Sequence, residues 1–245
     1  MFTRFSRTLA VFLISPFTLA AQERITDHNF HGWFSYFGDH PIAGSKWGAH
    51  LEGQFRRHDV ITKWQQLLLR PGVNFQATPK VMLTAGYAFV RSNTYSEFAA
   101  PAPVSLEHRI WEQVWIRYRT GRTSWSTRLR FENRFLGGPN PQTGGTSYRF
   151  ENRFRIWQQI KVPIAPKKYF TAYDEFWVYV KPFQSNSAFD QNRAYVALGF
   201  DLKPSLRLET GYMNQTLLTR SGSRLESNHT LVISLYSNAS FFAKH

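Results

Sequence analysis

The chain has 245 residues, with 30 Lys+Arg against 16 Asp+Glu, a formal charge of +14 and no cysteine; thiolate metal sites, cysteine nucleophiles and disulfides are thereby excluded. Its 42% hydrophobic content comes with a negative mean hydropathy, and beyond the N-terminus no stretch approaches the roughly 20 apolar residues that a spanning helix needs. A helical membrane bundle is excluded too.

Residues 1–21 carry Arg4 and Arg7, then an apolar run over 9–20, then small residues before Gln22. That order of charge, apolar core and small residues is that of a secretory signal peptide, cleaved after Ala20 or Ala21. The alternative, a short membrane anchor, has too few apolar residues and is interrupted by Pro16. Loss of Arg4 and Arg7 takes the charge from +14 to +12. The expected organisation is a signal peptide at 1–21 and one domain at 22–245.

From residue 30 onward the chain alternates polar and apolar residues, the period of a strand. Eleven segments are predicted, at 30–38, 45–57, 64–76, 81–91, 107–119, 124–135, 147–162, 169–181, 191–200, 205–218 and 228–237. Most are about 10 to 14 residues, longer than the five or six usual in soluble sheets and suited to tilted strands crossing a bilayer. Short connections at 77–80, 120–123, 163–168 and 201–204 alternate with longer ones at 92–106, 136–146, 182–190 and 219–227, as short periplasmic turns alternate with longer outer loops in bacterial barrels. The fold class expected is all-β, a transmembrane antiparallel barrel of about 10 to 12 strands in the outer membrane of a Gram-negative bacterium. Eleven strands would make the closing pair parallel, so parity favours twelve, with 22–29 as an added strand; the other ways out are a miscounted edge or 30–38 lying outside the sheet.

The string Arg-Phe-Glu-Asn-Arg-Phe occurs twice, at 130–135 and 149–154. Alternation puts Phe131, Asn133 and Phe135 on one face and Arg128, Arg130, Glu132 and Arg134 on the other; the second copy sets Phe150, Asn152 and Phe154 against Arg149, Glu151, Arg153 and Arg155. An unpaired Arg or Lys facing lipid costs roughly 2–4 kcal/mol at mid-membrane, so the charged face is expected inside. The same parity sends Glu52, Arg56, Arg70, Glu107, Arg109, Glu175, Arg193, Arg207 and Glu209 inward, with Trp111 and Trp115 sharing the inner face. Glu132 and Glu151, each flanked by arginines, suggest a ladder of alternating sign. That ladder either fills and stiffens the lumen or lines a path for anions. Trp47, Trp64, Trp125, Tyr148 and Tyr169, near strand ends, are expected to form interfacial girdles.

These residues fall into blocks: Arg70-Pro71-Gly72-Val73, Gly86-Tyr87, Glu107-His108-Arg109-Ile110-Trp111-Glu112-Gln113, the two repeats, Asp174-Glu175-Phe176, Asp190-Gln191-Asn192-Arg193 and Gly211-Tyr212-Met213-Asn214-Gln215. Their ordered set resembles the bacterial family DUF2490 across nearly the whole mature chain. The resemblance implies an outer-membrane barrel and supplies no reaction, substrate or catalytic residue. The end departs from many such barrels, since Ala243-Lys244-His245 follows Phe241-Phe242 where an aromatic terminus is usual.

Asp27, His28 and His31 cluster near the start of the mature chain, and the His28–His31 spacing could in principle serve a metal, but no third ligand is identifiable in the sequence. Glu107 and His108 lie on opposite faces, and no motif selects a nucleophile. A basic chain of interleaved Arg and Phe could bind nucleic acid, a reading that the export signal and strand lengths disfavour. The expected function is a narrow pore or binding conduit biased toward anions; the alternatives are a plugged, non-conducting structural or interaction barrel, and an enzyme at the rim acting on lipid or lipopolysaccharide. No cofactor is implied. The expected partners are outer-membrane lipid, lipopolysaccharide and small anions, with the oligomeric state open.

Overall fold

Every predicted segment forms a strand in the computed structural model, which describes residues 25–93, 104–140, 142–180, 187–218 and 223–241. The strands are β1 (Ile25–Pro41), β2 (Trp47–His58), β3 (Lys63–Thr78), β4 (Val81–Asn93), β5 (Val104–Thr120), β6 (Thr123–Pro139), β7 (Thr146–Ala165), β8 (Lys168–Tyr179), β9 (Phe189–Lys203), β10 (Leu206–Leu218) and β11 (Arg224–Ser237). They close into a barrel in which each strand pairs antiparallel with its chain neighbours, and β1 pairs parallel with β11. The count is eleven, within the expected range, and parity is met by the parallel seam rather than by a twelfth strand. Residues 25–29, at the edge of the segment considered for that extra strand, instead extend β1 alongside 224–228. Both seam strands run the same way, so β1 begins at one end of the barrel and β11 finishes at the other. Closure leaves no free edge, since a parallel ladder also satisfies the backbone donors and acceptors of both strands.

Four of the five connections at one end, 79–80, 121–122, 166–167 and 204–205, have two residues; 42–46 has five. These sharp turns use left-handed backbone at Gly121 (φ +58°) and Lys167 (φ +59°). At the opposite end the gaps run from four residues at 59–62 to ten at 94–103; 94–103, 141, 181–186 and 219–222 lie outside the described residues, as do the predicted signal peptide and the last four residues.

The short-turn end of the seam carries a clasp. After β11 the chain reaches the β1–β2 turn, where Phe241 N–H donates to the Pro41 carbonyl at 3.0 Å and Ser240 Oγ donates to the same carbonyl at 2.9 Å. The Phe241 ring stacks on His40 with centroids 4.4 Å apart. His40 is fixed in turn by the Ala239 carbonyl and the Tyr36 hydroxyl, each at 2.8 Å.

Burial follows parity, but the chemistry is inverted relative to a water-soluble sheet. On β2 the buried set includes His50, Glu52, Gln54 and Arg56, while Phe55 is 50% exposed. Val73, Ile110, Ile156, Phe176 and Leu231 likewise point outward and are exposed. The barrel is polar within and apolar without. One close approach explains two glycines: Gly72 and Gly86 are register partners facing Trp111, and a Cβ at Gly72 would lie 3.1 Å from the indole. Their hydrogens make room for a ring that is 0% exposed.

Candidate functional site

The two repeats pair antiparallel about Asn133 and Asn152, so the third position of each copy faces the fifth of the other. Glu132 therefore lies opposite Arg153, and Arg134 opposite Glu151. The expected alternating ladder forms at these two rungs; at the next, Arg130 faces Arg155. That like-charged pair is separated by acceptors, with Arg130 donating to Gln113 Oε1 at 2.7 Å and Arg155 to Glu132 and Glu175 at 2.7 Å each.

Glu132, 0% exposed, is the hub. Arg153 lies at 2.6 Å and Arg155 at 2.7 Å, with Arg70 at 3.4 Å, Arg109 at 3.8 Å and Arg130 at 4.0 Å. The Arg70 contact spans from β3 to β6 because β4 contributes Thr84, Gly86, Ala88 and Val90 to the inner face and no charge. Five guanidinium groups around one carboxylate compensate its buried charge, since a bare buried charge would be far costlier than a paired one.

From this hub the contacts run round the lumen. Arg155 and Arg128 (2.6 Å) hold Glu175 on β8, and Arg193 on β9 lies 3.9 Å from it. The Arg193 guanidinium sits 5.0 Å from the ring centroid of Trp33 on β1, over whose ring Arg56 of β2 lies at 3.8 Å. Arg56 donates to Gln54, which donates to Glu52, and Glu52 accepts from Arg70 at 2.7 Å. The circuit is closed. Above it, toward the long loops, Glu107 accepts paired N–H donors from Arg109 (2.6 and 2.9 Å) and is gripped by Arg134 as well, while Arg153 also bonds Asp190 at 2.7 Å.

Arginine outnumbers carboxylate here, and tryptophan faces take up part of the excess. Trp177 has Arg155 at 3.8 Å, Arg153 at 4.0 Å and Arg193 at 4.2 Å from its centroid. Trp111 has Arg130 at 4.7 Å and Arg70 at 5.6 Å.

All seventeen of the sequence-selected charged residues lie on the inner parity. Glu52, Arg56, Arg70, Glu107, Arg109, Arg128, Arg130, Glu132, Arg134, Glu151, Arg153, Arg155, Glu175 and Arg193 belong to the charged interior just described. Arg149 sits at the long-loop rim, half-exposed, on Glu151 at 3.0 Å. Glu209 and Arg207 lie apart, toward the short turns, where Tyr169 donates to Glu209 at 2.8 Å and Lys161 approaches it at 3.6 Å. That bond corrects one expectation: Tyr169 has the parity of Glu175, is 4% exposed and faces the lumen, not an outer girdle. Trp47 and Tyr148 are exposed on the outer face as expected, and Trp125 stacks on Tyr118 at 6.1 Å. His28 and His31 diverge, with His28 stacked on His229 outside and His31 buried within, so they do not converge on a metal.

Sequence reasoning placed Gln54 and Gln113 inside, as found, and missed Trp33, Trp177 and Asp190. The signal was parity: Trp33 shares a face with His31, and Trp177 with Glu175.

Between the circuit and the short turns lies a vestibule of about 1040 Å³. Eleven Lys/Arg and four Asp/Glu line it. Among the described residues, Lys46, Lys80, Arg119 and Arg207, near its mouth, have no carboxylate within 4.0 Å, and Arg117 has only Asp39 at 3.9 Å. In its floor, Arg128 Nε and Arg130 Nη1 have no hydrogen-bond acceptor among the described residues.

The profile of the family DUF2490, described as a protein of unknown function, matches residues 30–226. An uncharacterised protein of Methylorubrum extorquens is 27% identical over 194 residues, covering 76% of this chain and 78% of that protein. Among solved structures, the NanC porin is similar at a TM-score of 0.46 and 10% identity, over 80% of this chain and 92% of that one.

Proposed function

We propose that this chain, which belongs to the DUF2490 family of proteins of unknown function, is a bacterial outer-membrane barrel whose lumen is closed at mid-height and whose short-turn vestibule binds small anions. The apolar outer face over a closed wall, antiparallel except at the β1–β11 seam, supports the membrane placement. The asymmetry of turns and loops then turns the vestibule to the periplasm and the longer loops outward, where lipopolysaccharide is the neighbouring lipid. The signal peptide read at residues 1–21 lies outside the described residues and belongs to the same proposal.

The observation that carries the closed lumen is the burial of Glu132 (0% exposed), Trp111 (0%) and Arg130 (1%) inside a circuit of contacts through β1, β2, β3, β6, β7, β8 and β9. An open water-filled channel would wet these groups. Of the two uses of an arginine-rich lumen, binding is therefore favoured over conduction. The anion bias follows from the leftover donors: fixed guanidinium groups offset the cost of taking an anion out of water.

Sulfate titrated into the folded protein, read by tryptophan fluorescence since Trp115 and Trp157 border the vestibule, is expected to saturate. Combined Arg117→Glu and Arg207→Glu should weaken it at least about tenfold, ~1.4 kcal/mol, with added salt acting in the same direction. Unsaturable binding, or binding indifferent to both substitutions, would remove the anion reading.

A further inference from the structure

The outer face is not uniform. Over β2 to β5 the residues that point away from the lumen near mid-height include Leu51, Leu69, Val73, Leu83 and Ile110, all exposed. Glu112 interrupts them, between register partners Ala85 and Phe131. Over β6 to β11 a polar row crosses the same face. Thr127, Gln158, Asp174, Ala194 and Asn214 are successive register partners from β6 to β10. Asn192 donates to Asp174 Oδ1 at 2.7 Å, Thr127 donates to Gln158 Oε1, and Asn214 donates to Ser227 at 3.1 Å.

Asp174 sits at the middle of β8, with Phe176 two residues after it and Phe170 four before it, both outward and exposed. On the membrane placement proposed above, on which this inference rests, the carboxylate faces hydrocarbon, where an ionised group with spare acceptor capacity is costly. Beside it is a groove of about 550 Å³, lined by Ala172 and Ala194 together with Trp125, Ile160 and Tyr212. Small residues of this kind let two backbones approach within a membrane.

We infer that this groove is the contact between two copies of the chain lying side by side in the membrane. Among the described residues, Gln158 Nε2 and Asp174 Oδ2 have no hydrogen-bond partner, and they belong to register partners, one a donor and the other an acceptor. A two-fold axis beside this pair sets the Gln158 amide of each copy against the Asp174 carboxylate of the other, an isologous contact that satisfies both at once. An acyl chain has no donor to offer. Glu112 lacks an amide neighbour in register, so the other side of the barrel has no self-complementary pair there.

The chain has no cysteine, so single cysteines report contact cleanly. Ala194→Cys protein, dilute in proteoliposomes and treated with a short bis-maleimide, is expected to form covalent dimers about tenfold more than Leu83→Cys, placed on the opposite side. Asp174→Leu in the Ala194→Cys background should bring dimers down to the control level while the barrel still folds, judged by its heat-modifiable mobility on a gel. Equal cross-linking at Ala194 and Leu83, or cross-linking that survives Asp174→Leu, would overturn the interface and leave lipid or another protein as the occupant. Failure of the folded wild-type barrel to insert into liposomes would instead overturn the membrane placement, and this inference with it.

Discussion

Glu132 balances more cation than any other group described in this molecule, and its environment defines what one substitution should do. Glu132→Gln keeps the shape and removes the charge, leaving Arg153 and Arg155 with a neutral acceptor there, Arg70 and Arg109 with Glu52 and Glu107 alone, and Arg130 with no carboxylate within 4.0 Å among the described residues. Breaking a buried pair from one side typically costs about 3–5 kcal/mol, and urea unfolding of the refolded barrel should lose that amount; a loss under about 1 kcal/mol would mean that Glu132 does not organise the interior. The pairing around it was legible in the sequence because two identical strings of six, placed antiparallel, must set Glu against Arg. The tryptophans were not. Period-two reasoning files Trp with the apolar face, so Trp111 and Trp115 read as exceptions, and Trp33 and Trp177 received no role. Physically they belong with the arginines, whose excess over carboxylate needs the π faces of Trp177, Trp111 and Trp33. Tyr169 was misplaced for the opposite reason: position near a strand end outweighed its parity with Glu175.

At the scale of strands, the seam is the part that local pattern could not decide. Alternation found all eleven strands, including short-turn boundaries such as the one between β5 and β6, because each strand's two faces differ sharply in chemistry. Whether the first and last strands meet, and in which sense, depends on the closure of the whole sheet, and the bias toward an even count came from other barrels. Glycine behaved similarly. Gly72 and Gly86 stood out as members of sequence blocks, but their task, clearing space for Trp111 from β5, appears only when three strands are brought into register. The seam's distinct support is the clasp of Phe241 on His40 at the short-turn end. Phe241→Ala removes the stacked ring and should raise amide hydrogen exchange in the short-turn halves of β1 and β11 roughly tenfold, as expected for a locally opened unit, while β5, β6 and β7 keep their protection. Uniform acceleration over all strands, or none at the seam, would contradict a local clasp.

For the whole molecule, an apolar exterior and a basic, ion-paired interior are two consequences of one alternating pattern. The surplus charge is distributed along the axis: it is matched by carboxylates and indoles at mid-height, where the circuit of contacts runs, and left over at the vestibule mouth, where Lys46, Lys80, Arg117, Arg119 and Arg207 collect. This separation is what divides binding from conduction. The most direct measurement is single-channel conductance of the refolded protein in a planar bilayer, with insertion verified independently and a salt gradient applied. The closed circuit predicts no resolved unitary steps from inserted barrels. Stable anion-selective steps from the wild-type protein would contradict it, because ions could pass only if the ring from Glu52 through Glu132 to Arg193 stood open.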